Sequence, residues 1–122
     1  MRFSLSHNLP VIFYLALIFY FSSLSQINIT IPGDSNGLVF HSVEYFVLGF
    51  LVSRLFLGSK IGLSINKLII LSIALSILYG ITDEIHQSFI PSRTASLIDL
   101  FADSIGSILG AIVYKFYKKS KI

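Results

Sequence analysis

The residues able to do chemistry in this chain are concentrated between Tyr79 and Gly110, YGITDEIHQSFIPSRTASLIDLFADSIGSILG, with a second group at His41, Glu44 and Tyr45. Four of the six acidic residues, Asp83, Glu84, Asp99 and Asp103, fall in the longer stretch, together with His86, Gln87 and Arg93. Histidine beside carboxylates suits general acid–base transfer, and imidazole with carboxylate is also a zinc-type donor set. The spacing matches no metalloprotease signature such as His-Glu-x-x-His, so the sequence assigns no metal and no cofactor. Arg93 offers a planar fork that either pairs with a neighbouring acid or holds the phosphate or carboxylate of a ligand. There is no Gly-x-Ser-x-Gly, no glycine-rich phosphate loop and no cysteine nucleophile. Whether the chain is an enzyme stays open, with His41, Glu44, Asp83, Glu84 and His86 as the catalytic candidates. The expected binding set is His41, Tyr45, Asp83, Glu84, Gln87, Arg93, Asp99 and Asp103.

These polar groups sit among segments that are anything but polar. Of 122 residues, 54% are hydrophobic and 12% charged, far from the balance of a soluble domain of this size. A chain this short cannot hide eleven Phe and long Leu/Ile/Val runs in a core of its own. The sequence therefore predicts an all-α membrane protein, a single domain over 1–122 with four transmembrane helices at about 9–25, 38–57, 67–89 and 96–117. Pro10 suits an opening turn of the first helix. The Ser22-Ser23-Leu24-Ser25 tail lacks an Ala-x-Ala cleavage pattern, so that helix is expected to be retained. The Pro32-Gly33-Asp34-Ser35-Asn36-Gly37 run predicts a turn-rich loop. The third helix is expected to continue through the polar DEIHQ run until Pro91 and Ser92 break it. Ser96 followed by Asp99 predicts a capping box at the start of the fourth.

Charge asymmetry sets the expected orientation. With the N-terminus inside, Arg2, Arg54, Lys60, Lys67 and the four C-terminal lysines lie on the cytoplasmic side, and Arg93 alone lies outside with all six acids. Both termini are then cytoplasmic. The lysine-rich tail is a headgroup anchor, not a nucleic-acid patch. Alternating spans also bring the polar residues to one depth. An ionised side chain deep in a bilayer costs roughly 2.5 to 3.5 kcal/mol on insertion scales, so these groups need partners, water or a ligand. Helical spacing puts His41, Glu44, Tyr45 and Leu48 on one stripe, Asp83, His86 and Gln87 on another, and Asp99, Asp103, Gly106 and Gly110 on a third. The Gly106-x-x-x-Gly110 pair permits close helix approach, and Asp103, too deep to cap its helix, is expected to pair with Arg93 or a histidine.

Two blocks of residues resemble the VanZ-like membrane proteins, a family named for a teicoplanin-resistance accessory protein. The first is His41-x-x-Glu44-Tyr45-x-x-Leu48-Gly49. The second is Asp83-Glu84-x-x-Gln87, Pro91-x-Arg93 and Asp99-x-x-x-Asp103-x-x-Gly106-x-x-x-Gly110. Asp103 stands where the family often has Asn, and Gly37-Leu38 occupy a region that often carries a lysine, so the pocket here is more negative. His86 is not a hallmark of the family. The resemblance implies an integral protein of the bacterial cell envelope, multi-pass in the cell membrane. Some members are associated with reduced susceptibility to glycopeptide antibiotics. The leading expectation is a pocket that binds an envelope component or lipid headgroup, with membrane lipids and an envelope precursor or glycopeptide-related ligand as partners. The alternatives are an intramembrane acid–base or metal-dependent enzyme acting on a lipid-linked substrate, and a small oligomeric transporter or channel.

Overall fold

The computed structural model describes residues 4–24, 37–91 and 96–121. They form four helices, α1 (Leu5–Ser23), α2 (Leu38–Gly58), α3 (Ile65–Gln87) and α4 (Leu97–Ser120), with no strand among the described residues. Each is long and apolar enough to cross a membrane. Of the loop expected over 32–37, only Gly37 lies within the described residues; its φ of 70° is the left-handed conformation that glycine adopts without penalty.

The helix ends follow local chemistry. α3 opens on Ser64, whose hydroxyl accepts the Lys67 backbone N–H at 3.4 Å. It runs through the DEIHQ stretch as expected and closes at Gln87, where the N–H groups of Ser88, Phe89 and Ile90 turn back onto the carbonyls of Glu84, His86 and Gln87 ahead of Pro91. α1 differs from expectation. It starts at Leu5, so Pro10 lies inside the helix, not in its opening turn. An internal proline removes one intrahelical N–H and orphans the carbonyl four residues earlier, here that of Ser6. The Arg54 guanidinium donates to that carbonyl at 2.8 Å, which supplies what the helix cannot.

The packing is that of a membrane bundle. The interior holds small or polar side chains such as Ser53, Ser72, Ser76, Asp103 and Ser107, while Phe13, Ile70, Leu97, Phe101 and Phe116 face outward. Ser72, Ser76 and Ser107 satisfy their hydroxyls on the carbonyls of Leu68, Ser72 and Asp103, one turn earlier in their own helices. α2 and α4 approach most closely. A Cβ on Gly106 would strike the Ser42 carbonyl, one on Gly110 the Phe46 carbonyl, and one on Gly49 the Ser107 carbonyl. α3 packs on both α2 and α4, whereas α1 touches only α2 and α3. Tyr14 donates to the Glu44 carbonyl at 2.7 Å and Tyr79 to the Leu15 carbonyl at 2.8 Å, tying α1 to its neighbours.

Candidate functional site: a carboxylate cluster around His41

Alternating helices gather the first turns of α2 and α4 and the last turns of α3 at one end of the bundle, which we call the acidic end. Arg54, Lys60, Lys67 and the lysines from Lys115 onward belong to the opposite, basic end. At the acidic end the close α2–α4 contact places His41 against two aspartates. His41 Nδ1 lies 3.0 Å from Asp103 Oδ1, and its Nε2 lies 3.7 Å from Asp99 Oδ2. A carboxylate accepts only, so Nδ1 carries the hydrogen of the short contact. Asp103 is 0% exposed, so this is an interior dyad.

α3 completes the cluster. Tyr45 donates its hydroxyl to Asp83 Oδ2 at 2.9 Å, which satisfies a buried carboxylate with a neutral group. Glu84 Oε2 accepts the backbone N–H of Ser96 at 3.0 Å, across the α3–α4 junction. This alters the expected capping box. Ser96 does accept from the Asp99 N–H, at 3.3 Å, but the return bond to the Ser96 N–H comes from Glu84 and not from Asp99. Asp99 thereby keeps its carboxylate for His41. Glu84 Oε1 and Asp103 Oδ2 are buried without a hydrogen-bond partner among the described residues. His41, Glu84 and Asp99 each present a donor atom such that the three lie within 4.8 Å of one another.

The remaining expected residues divide. Gln87 is buried on the inner face of α3. His86 turns away: its ring stacks on Phe19 with centroids 4.5 Å apart, and Nε2 lies 2.9 Å from Ser23 Oγ. Successive residues rotate by about 100° on a helix, so Gln87 continues the Asp83 face while His86 reaches α1. Ser23 had no signal in the sequence as its partner. Glu44 is half-buried and lines an apolar cavity of about 180 Å³ between α1 and α2, with Tyr14, Leu17, Ile18, Phe21 and Phe40. The Phe40 ring stands edge-on to His41 at 6.3 Å, so cavity and cluster adjoin. Arg93 lies outside the described residues, and with it the expected pairing to an acid or ligand.

Four apolar helices with polar groups turned inward define a multi-pass membrane protein. The VanZ/LLP1 family model matches residues 4–118, and the chain belongs to that family. No curated protein and no solved structure matches it.

Proposed function

We propose that the acidic end faces away from the cytoplasm and that its pocket binds the polar headgroup of an envelope lipid or lipid-linked precursor, so modulating the cell surface and its susceptibility to glycopeptides such as teicoplanin. The observation that carries this reading is the side-by-side arrangement of a hydrogen-bonding cluster, His41, Asp99 and Glu84, with an apolar cavity bounded by Phe40 and Phe21. A headgroup takes the first and an acyl chain the second, and both are what a membrane ligand offers. Family membership and the segregation of charge between the two ends support the same placement. Deleting the gene and restoring wild-type or His41→Ala protein tests it. Wild-type protein is expected to restore envelope lipid composition and the lower, parental susceptibility to teicoplanin, and His41→Ala to fail. A deletion strain with neither trait changed overturns the proposal.

A second reading is favoured by the His41–Asp103 dyad, in which a buried aspartate orients an imidazole as it would for a general base. Purified protein incubated with lipid-linked precursors would then release product, and the Asp103→Leu variant would release far less. No product across a range of pH and divalent ions removes this alternative.

A further inference from the structure

We propose that His41, Glu84 and Asp99 form a binding site for one divalent cation of the zinc class. The ion would occupy the same cluster to which the headgroup is assigned and so deepens that reading, an anionic headgroup meeting the ion, while ion binding is measured with no lipid ligand added. The three residues come from three helices, α2, α3 and α4, and their donor atoms lie within 4.8 Å of one another. Ligands about 2.0 to 2.2 Å from a tetrahedral ion stand about 3.4 Å apart, and the one pair with a resolved separation, His41 Nε2 and Asp99 Oδ2, is at 3.7 Å.

Proximity of acids alone would mean little. What distinguishes this cluster is that two of its ligands, His41 and Glu84, are held from behind. Asp103 takes the Nδ1 hydrogen of His41, as a carboxylate behind a metal-bound imidazole does, and this leaves Nε2 as the donor atom. The Ser96 N–H holds one oxygen of Glu84, while the other is buried without a partner on a side chain only 6% exposed. The Ser96 hydroxyl fixes the first turn of α4 by accepting from the Asp99 N–H. One imidazole and two carboxylates match zinc or a similar transition ion better than magnesium, which prefers six oxygens in an octahedron. Charge argues the same way. Asp83, Glu84, Asp99 and Asp103 converge at this end, and every described Lys and Arg lies at the other.

The test uses full-length protein in detergent, stripped with a chelator and equilibrated with Zn²⁺. Elemental analysis is expected to give one ion per chain for wild type and for the His7→Gln/His86→Gln double variant, which retains His41 as its only histidine. His41→Gln, Glu84→Gln and Asp99→Asn should each weaken binding by at least 100-fold, and Asp103→Asn by about 10- to 100-fold through loss of the negative charge that makes the His41 ring a stronger donor. Circular dichroism identifies any variant that fails to fold, and the other ligand variants then decide. Co²⁺ substituted into wild-type protein should give the visible absorption of a low-coordinate site, lost in Glu84→Gln. Three results overturn the proposal: no ion in wild type, an ion retained by all three ligand variants, or an ion taken up by Arg93→Ala but not by wild type. The last would make Arg93 the counter-charge of the cluster.

Discussion

Arg54 and Ser6 are joined across the bundle: the guanidinium donates at 2.8 Å to the very carbonyl that Pro10 leaves without an intrahelical donor. The proline and the arginine are therefore one device, which allows a kink-prone residue inside a membrane helix. Arg54→Ala is expected to cost about 1 kcal/mol, the usual net value of such a bond near the surface. In a Pro10→Ala background the helix supplies its own donor, so the same change should cost markedly less. Thermal melts of the four proteins in detergent decide, and an equal cost in both backgrounds breaks the coupling.

The glycines of α4 should tolerate alanine very unequally with the glycine of α3. A Cβ on Gly106 or Gly110 meets backbone of α2, which cannot swing aside, whereas one on Gly80 meets the ends of Tyr45 and Leu100 side chains at 3.3 and 3.4 Å. We expect Gly110→Ala and Gly106→Ala to destabilise by about 1 to 3 kcal/mol, the range for overpacking, and to loosen the His41–Asp103 contact. Gly80→Ala should cost less than either. Comparable melting temperatures for Gly80→Ala and Gly110→Ala would show that the α2–α4 approach is not set by its glycines.

Tyr45→Phe tests the neutral partner of Asp83. The ring is fully buried and its shape is kept, so the loss isolates the 2.9 Å hydrogen bond. Leaving a buried carboxylate oxygen without its donor costs about 1 to 3 kcal/mol. Adding Asp83→Leu should recover part of that loss, because no charge is then left unpaired. A double variant less stable than Tyr45→Phe alone counts against this account.

Asp103→Asn should melt within about 1 kcal/mol of wild type, since an amide oxygen can still accept from His41 Nδ1. Asp103→Leu removes the acceptor and should cost more. Equal costs for the two variants would show that the carboxylate charge, not the hydrogen bond, holds His41.

Orientation is checked by reporter fusions. Fusions after Ser35 and Ser92 are expected outside the cytoplasm and fusions after Lys60 and Lys121 inside, following the charge bias of the ends. A reversed set would put the His41 cluster on the cytoplasmic side and end the envelope proposal.

The spans were legible in the sequence because twenty-residue apolar runs have few alternatives, and the Ser96 cap because its spacing is local. His41 with Asp103 was half legible: a buried aspartate on a glycine-lined face had to have a partner, but picking out His41 depended on which helix packs on α4. The Glu84–Ser96 bond was not legible. A Ser-x-x-Asp pattern points to its own aspartate, and only the approach of the end of α3 to the start of α4 brings a competing carboxylate. His86 was assigned to the Asp83 stripe because three-residue spacing permits it, and the presence of α1 decided otherwise. Pro10 misled for a similar reason, since its compensation comes from a residue 44 positions away.

That the start of α4 supplies the partners of His41 and Glu84 bears on how the protein is made. His41 emerges early in synthesis, but Asp99, Asp103 and the Ser96 N–H come with the last helix to be inserted, so the cluster cannot assemble while the nascent chain grows. Until α4 arrives, Asp83 can already meet Tyr45, but His41 and Glu84 wait with their partners still unmade. The protein thus acquires its site in one late step, and a translation product stopped before α4 is a three-span fragment with His41 and Glu84 unpaired, a natural target for quality-control proteolysis.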